Sequence, residues 1–427
     1  MERHTYRVMP QLDLKAIEQR AQKAFNRKKT TGPELSAFLA ERTDTAVRLA
    51  EVKKLLSSKK PAHIKYGVDP TAPDIHLGHV VQLLVLRELQ KAGHKVTFIV
   101  GDFTATIGDP SGKNVERPAL SSTEIKRNVR TYEKQAALVL DMHKVNVRFN
   151  SEWLDKVALR DFFSYLQLQT VASAMEREDF RKRESITRAE MLYATLQAID
   201  SVELQNDIEL GGRDQLLNFI EARELMRKIG IKGQSVLTTP LLPGTTGTGE
   251  KMSKSKKNYI AVSDSASDVF AKIMSVTDKD MFTYMRLLTY VSKADRALLE
   301  KAVTKRTINP RDVKQLIARL VTFLVHPNHQ EVTRAEDAFA KVFGKGEVPD
   351  DIPRHKLTRK DIKDLAQLIS EIGNFSRSEA KRLVKTKSVH VIADGKSRAV
   401  TDLKQLKVDV THALRIGKQK FVKIILR

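Results

Sequence analysis

The spacing of apolar side chains changes character several times along the 427-residue chain. Residues 1 to about 60 show basic, weakly apolar helical patterns, broken in the middle by KKTTGPE (28–34). From HIKYGVD (63–69) onward, short apolar runs alternate with longer amphipathic ones. HIKYGVD reads as a strand, and Val80, Val81, Leu83, Leu84, Leu86 and Leu89 recur at the spacing of a helix over 77–93. KVTFIVGD (95–102) reads as the next strand, followed by a helix over about 123–142 and a strand at NVRFN (146–150). A helical stretch around AEMLYATLQAID (189–200), the strand-like DIELGG (207–212) and a helix from Gln215 continue the alternation. It predicts an α/β fold with a parallel sheet. TTPLLPGTTGTGEKMSKSKKNY (238–259), rich in Gly, Thr and Lys, predicts a mobile loop. Helical patterning then runs to about 345, GEVPDDIPRHK (346–356) reads as a linker, and a basic segment follows.

Composition narrows the class. With 41% hydrophobic residues the chain can bury a sizeable core, and its length suggests two or three domains. There is no cysteine, which excludes disulfides, cysteine-ligated zinc and thiol catalysis and fits a reducing compartment. No apolar run approaches the roughly 20 residues that span a bilayer, and MERHTYRVMP lacks a hydrophobic signal core, so the expected location is cytoplasmic, without a membrane partner. The net charge of +23 points to a polyanionic partner. Residues 356–427 alone hold 18 basic and 7 acidic side chains, a net +11.

Two stretches carry candidate chemistry. In DIHLGH (74–79), His76 and His79 fall in the first turn of a predicted helix, where backbone N–H groups lack helical partners and the dipole favours an anion. Phosphate is the natural guest. In KMSKS (251–255), Lys251 and Lys254 follow Gly247 and Gly249 in a loop. Two mobile cations there could close over a polyphosphate; approaching as charge develops on leaving pyrophosphate, they would lower the barrier by differential binding.

HLGH and KMSKS, in this order and about 170 residues apart, resemble the two signatures of class I aminoacyl-tRNA synthetases. VGDFTATIGDPSGKNVERPAL (100–120), YATLQAID (193–200) and DIELGGRDQ (207–215) are similar to stretches of the tyrosyl-tRNA synthetases, and the Lys65-Tyr66-Gly67 step resembles one bacterial branch of them. GDPSGKN fails as an ATPase phosphate loop, since one residue is missing between its glycines and no Ser or Thr follows Lys113. The resemblance runs from about residue 60 onward. It implies a Rossmann-like parallel-sheet catalytic domain (61–262), a helical domain (263–345), the linker (346–356) and a small C-terminal α+β RNA-binding domain (357–427). The basic helical extension (1–60) has no implied role.

Site residues follow from the same resemblance. Thr71, His76 and His79 would contact ATP phosphates, and Lys113 and Arg117 would join Lys251 and Lys254 around the pyrophosphate. Gly78 would let the adenine side approach the backbone; Gly212 and Asp214 would meet the ribose, with Met252 and Lys254 also in the ATP site. Asp109, Tyr193 and Gln197 would receive the tyrosine ammonium, Asp69 and Gln215 would help hold the substrate, and Asp200 would accept a hydrogen bond from its phenol. Glu116 reads as a salt-bridge partner and Trp153 as core. Three positions depart from the pattern: Lys65 stands where many members have a tyrosine touching the substrate hydroxyl, with Tyr66 facing the other way; Ile199 replaces an aromatic residue; Arg213 replaces a small hydroxyl residue.

SRSEAKRLVKTKSVHVIADGKSRAVTD (376–402) resembles a small RNA-binding domain shared by a ribosomal small-subunit protein and the bacterial tyrosyl enzymes. A helix capped by Ser376 or Ser378 would display Arg377, Lys381, Arg382 and Lys385 near one face, where phosphate contacts position RNA without reading it. The implied activity is a tyrosine–tRNA ligase using tyrosine, ATP as its magnesium complex and tRNA-Tyr, with no protein-bound metal and a homodimeric assembly. Two alternatives stand beside it: tryptophan activation, disfavoured by Asp200 and GDPSGK, and an RNA-binding paralogue without aminoacylation, disfavoured by intact HLGH and KMSKS.

Overall fold

The computed structural model describes residues 12–70, 74–110, 121–175, 178–181, 185–344, 354–373, 375–393, 396–417 and 420–427. They form two compact units, one of residues up to 264 with 275–325, the other of 265–274 with 326–427.

In the first unit, α1 (Leu14–Phe25), α2 (Gly32–Arg42), β1 (Thr45–Val47) and α3 (Leu49–Ser57) come first. The expected alternation follows as β2 (His63–Val68), α4 (Leu77–Lys91), β3 (Lys95–Val100), α5 (Ser122–Ala136) and β4 (Val145–Phe149). Four short helices, α6 (Ser151–Leu154), α7 (Leu159–Gln167), α8 (Val171–Met175) and α9 (Glu178–Arg181), lead to α10 (Arg188–Leu204), β5 (Ile208–Gly212), α11 (Leu216–Lys228) and β6 (Ser235–Thr239). Helices α13 (Asp278–Leu288), α14 (Lys293–Thr304) and α15 (Pro310–Val325) complete the unit.

The strands line up β1-β6-β5-β2-β3-β4, all parallel except β1. From β2 the chain adds β3 and β4 on one side and β5 and β6 on the other. The crevice at the carboxyl ends of β2 and β5 is therefore the switch point at which such sheets bind ligands. Burial explains the register: β5 and β6 are buried at every position and β3 exposes only Lys95, as expected of parallel strands covered on both faces. Local chemistry sets the helix starts. Capping boxes at Ser121/Glu124 and Thr187/Glu190 open α5 and α10, and α10 ends at Gln205 in the left-handed region (φ 45°).

Several boundaries differ from expectation. Within the expected extension 1–60, the described residues from 12 onward are built into the first unit: β1 pairs with β6, α2 packs on α4, and α1 packs on α15. Glu88, fully buried on α4, ties this layer together by accepting from Thr30 Oγ1 (2.5 Å) and Tyr290 Oη (2.8 Å) beside Lys91 Nζ (3.2 Å). A carboxylate so deep is tolerable because every one of these partners donates to it. The predicted loop over 238–259 begins inside β6, and the helix predicted over 123–142 stops at Ala136.

The second unit contains α12 (Ala266–Met274), packed on α16 (His329–Gly344) with Phe270 and Phe339 ring centroids 5.7 Å apart. The segment read as one helical domain, 263–345, is thus shared between the units. Next come β7 (Arg354–Leu357), α17 (Leu365–Gly373), α18 (Arg377–Lys385), β8 (Val389–Ala393), β9 (Lys396–Ala399), β10 (Thr411–Ile416) and β11 (Lys420–Leu426), in the sheet order β7-β11-β10-β8-β9. Leu368, Ile369, Leu383, Val389, Leu414 and Ile424 fill its core. Strand β7 pairs parallel to β11, so the last residues of the expected linker belong to this sheet.

Candidate active site

The turn from β2 into α4 holds both histidines. His76 is the N-cap of α4; its Nδ1 accepts from Gly78 N–H (3.2 Å), and His79 Nδ1 accepts from His76 N–H (3.3 Å). Each ring therefore carries its proton on Nε2 and presents it as a donor. The ring centroids are 4.0 Å apart. Burial first, then for His76 the neighbouring His79 and for both rings the cations Lys254 and Lys251, keep the pair neutral: His76 falls far below the usual imidazole range and His79 drops to about 4. A Cβ on Gly78 would lie 2.9 Å from the His76 ring, so glycine lets the two groups stack. Helix α5 steadies this turn from outside, since Gln135 Oε1 accepts from Ile75 N–H (2.6 Å) and Asn128 Nδ2 donates to Pro70 O (2.8 Å).

The KMSKS loop reaches the same place through backbone pairing. Leu77 N–H donates to Ile260 O (3.0 Å) and Val262 N–H to Ile75 O (2.8 Å), which clips the loop's exit to the histidine turn. Asn258 organises the loop itself: its Oδ1 accepts from Ser253 N–H (2.8 Å) and its Nδ2 donates to Lys251 O (3.2 Å). The amide fits because residue 244 is glycine; a Cβ there would sit 2.1 Å from Asn258 Nδ2. Gly247 and Gly249 both have positive φ (75° and 77°), conformations that other residues adopt only at a cost. Lys251 Nζ bonds Asp214 Oδ2 at 2.6 Å, so the lysine expected at the pyrophosphate and the carboxylate expected at the ribose are paired with each other. Met252 is buried.

Helix α10 lines the rest of the crevice. Tyr193 Oη donates to Asp69 Oδ2 (2.9 Å), whose Oδ1 accepts from Thr104 Oγ1 (2.8 Å). Gly101 makes room, because a Cβ there would meet Asp69 Oδ1 at 2.1 Å. Gln215 Nε2 donates to Asp109 Oδ2 at 3.4 Å, and Gly212 N–H donates to Gln215 Oε1 at the same distance. Asp200 is buried; Trp153 Nε1 donates to its Oδ1 (2.9 Å) and Asn150 Nδ2 reaches its Oδ2 (3.5 Å). Burial pushes this carboxyl up to about 7, against the opposing pull of Lys65 and of the two donors.

Placement of the expected residues is mixed. The histidines, Lys251, Met252, Gly212, Asp214, Asp69, Asp109, Tyr193, Asp200 and Gln215 all lie around the crevice, whereas Thr71, Lys113, Glu116 and Arg117 fall outside the described residues. Gln197 is committed to its neighbours, donating to Glu209 Oε1 (3.1 Å) and accepting from Asn218 Nδ2 (2.9 Å). Trp153 is core by burial, yet its indole N–H is a donor to the pocket carboxylate, which a reading of it as plain core missed. Ile199 packs with Trp153, Leu154 and Leu196 behind the pocket, and Arg213 turns outward to Asp44 (3.5 Å). Lys65 and Tyr66 do point to opposite faces, Tyr66 to Gln82 of α4 and Lys65 to α10. In the second unit, Ser376 caps α18, accepting from Glu379 N–H at 3.2 Å, and Arg377, Lys381, Arg382 and Lys385 are exposed.

A parallel sheet whose switch point joins an HLGH turn to a KMSKS loop defines a nucleotide-binding synthetase of class I, and comparison with known proteins agrees. The family model of tRNA synthetases class I (W and Y) matches residues 57–344. A tyrosine–tRNA ligase of Thermotoga maritima is 42% identical over 88% of this chain and 93% of its own length; one from Idiomarina loihiensis is 41% identical over 93% and 99%. A solved tyrosyl-tRNA synthetase of Archaeoglobus fulgidus, complexed with L-tyrosine, shares the fold at a TM-score of 0.60 and 23% identity, over 71% of this chain and 100% of its own. The chain belongs to the class I tRNA synthetases of the W and Y family.

Proposed function

We propose that the chain activates tyrosine with ATP and transfers it to the terminal adenosine of tRNA-Tyr. The observation that carries this reading is the crevice at β2 and β5, where two neutral histidine donors and the KMSKS lysines stand at one end and the buried Asp200 at the other. The tyrosine carboxylate would attack the α-phosphate of magnesium-bound ATP, forming the mixed anhydride and releasing pyrophosphate. His76 and His79 would donate Nε2–H bonds to phosphate oxygens, with Thr71 beside them. Lys251, Lys254, Lys113 and Arg117 would take up the charge on the leaving group. No covalent enzyme intermediate is needed; positioning and charge stabilisation supply the rate.

At the other end, Asp200 accepts a hydrogen bond from the phenol hydroxyl, Tyr193 and Asp109 face the ammonium, and Asp69 orients Tyr193. Asp214, once Lys251 leaves it, is available to the ribose. Arg377, Lys381, Arg382 and Lys385 provide phosphate contacts for tRNA, consistent with the net +11 of residues 356–427. A homodimer is supported by the apolar face that α7 and α8 leave open, with Leu159, Phe163 and Val171 71%, 55% and 67% exposed; a second copy would cover it. Sedimentation equilibrium at micromolar concentration tests that assembly, and a monomer would exclude it. Among the described residues no helix is long and apolar enough to cross a membrane, and a cytoplasmic location is proposed from the tRNA substrate.

ATP–pyrophosphate exchange measured with each standard amino acid, followed by charging of unfractionated tRNA, tests the activity. Tyrosine should support both reactions. Exchange with tryptophan instead, or none with any amino acid, would overturn the reading.

A further inference from the structure

We infer that the buried pair Lys65 and Glu209 is a specificity-determining positioning element of the tyrosine pocket, holding α10 and compensating the charge of Asp200 without touching substrate. The inference rests on the reading of Asp200 as the phenol acceptor.

The two residues are register partners on the adjacent parallel strands β2 and β5, and both are fully buried. Lys65 Nζ spends its three donors on Glu209 Oε1 (2.9 Å), Ser201 Oγ (2.7 Å) and the Gln197 carbonyl (3.0 Å). Two of those acceptors belong to α10 and bracket Asp200 in sequence. Glu209 is equally committed, accepting from Gln197 Nε2 (3.1 Å), Ser201 Oγ (3.4 Å) and Gln234 Nε2. The stretch of α10 that carries Gln197 and Asp200 is therefore bonded to the sheet by a cation and an anion in addition to the apolar packing of Leu196 and Ile199 with Ile99 of β3.

A buried ion pair of this kind seldom adds stability over a well-packed apolar one, so stability alone does not explain it. Its surroundings do. Asp200 is a second buried carboxylate, and its own hydrogen-bond donors, Trp153 and Asn150, are uncharged. The titratable groups facing it are Lys65 from β2, Glu209 from β5 and the neutral Tyr193 phenol of α10, with Asp69 and Asp109 beyond that phenol. Lys65 is the largest influence drawing the Asp200 carboxyl down, and Glu209 is a weaker one pushing it up, so the pair acts on Asp200 as a net positive charge. An ionised Asp200 is an acceptor only, which suits a phenol hydroxyl and leaves a phenylalanine ring facing a buried carboxylate that is short of that donor.

Two variants give opposite signs. Lys65→Met/Glu209→Gln removes both charges; the acid limb of kcat/KM for tyrosine should move to higher pH, and tyrosine-over-phenylalanine discrimination at pH 7 should fall about tenfold or more and recover as pH rises. Glu209→Gln alone keeps the cation, so its acid limb should move to lower pH with discrimination retained. Infrared difference spectroscopy of the Asp200 carboxyl in ligand-free protein, assigned with Asp200→Asn, reads the same two shifts without any activity. Shifts of opposite sign sustain the inference. Carboxyl titrations and acid limbs that superimpose on the parent's, or a discrimination loss that pH does not restore, overturn it. A parent protein that fails to exchange with tyrosine, yet shows the two spectroscopic shifts, would instead overturn the assignment of the pocket to tyrosine.

Discussion

Replacing Lys251 with alanine separates two effects of very different size. In the ground state the lysine is paired with Asp214 at 2.6 Å, with side chains 30% and 23% exposed. A pair this open to solvent contributes about 0.2–1 kcal/mol, so the folded state should lose no more than that. In the transition state the same ammonium would meet charge developing on pyrophosphate, and loss of one such donor costs about 3–4 kcal/mol, or roughly 10²–10³ in rate. The rate effect wins by several-fold. Single-turnover adenylate formation should therefore fall by that factor while thermal denaturation barely shifts. Tyrosine KM should stay close to the parent's, because the interaction is absent from the ground-state complex. ATP KM should not rise, since the substitution frees Asp214. The comparison variant Asp214→Asn also loosens Lys251 but leaves only a weaker, neutral amide oxygen to accept from the ribose, so it should raise ATP KM and leave adenylate formation at saturation much less affected. Adenylate formation by Lys251→Ala within about fivefold of the parent would refute the reasoning, as would a deficit that saturating ATP abolishes.

Asp200 makes folding depend on pH in a defined direction: its folded pKa of about 7 lies above the ordinary 3.8, so its contribution is full below 3.8, declines across that window and is gone above about 7. Asp200→Asn should flatten the fall in urea midpoint between pH 4 and 8; an unchanged slope would count against a raised pKa. Gly101→Ala would force Asp69 or Thr104 to move, since its Cβ would lie 2.1 and 2.3 Å from their oxygens. About 1–3 kcal/mol of destabilisation and a raised tyrosine KM are expected, and a parent-like KM would show that Asp69 does not orient Tyr193 for substrate. A chain ending near residue 350, just before β7, should keep tyrosine-dependent exchange while tRNA charging drops steeply and loses much of its salt dependence. Full charging by that truncation would make the basic segment dispensable.

The alternation of β2, α4, β3, β4, α10 and β5 was legible because each carries an uninterrupted local pattern, and HLGH and KMSKS were legible because their chemistry is packed into a few adjacent residues. What was not legible depends on partners distant in sequence. Strand β6 is five residues long and runs into TTPLLPG, so its turn residues mask it, while β1 is only three residues and gains its identity from β6. Glu88 interrupts an apolar stripe, and beyond its neighbour Lys91 the groups that explain its burial, Thr30 and Tyr290, lie 58 and 202 residues away. Lys65 read as a departure from a pattern, and only the register of β2 with β5 reveals Glu209 as its counterpart. Asn258 read as one more polar loop residue, although it holds the KMSKS backbone in shape.

The pairing of β1 with β6 also governs the order in which the chain can assemble as it leaves the ribosome. β1 ends at Val47, but its partner residues Val236–Thr238 are made almost two hundred residues later, and the acceptors of Arg20 and Arg42, Asp295 and the Thr289 carbonyl, later still. At typical elongation rates of 5–20 residues per second the first helices wait roughly 10–50 s before their full set of partners exists. Through that interval Ile17, Leu35, Phe38 and Leu39, all buried in the finished fold, lack the cover that α13 gives α2 and α15 gives α1. The many lysines and arginines of this segment keep the waiting helices soluble. A segment made well before its partners is thus among the last to be locked in place.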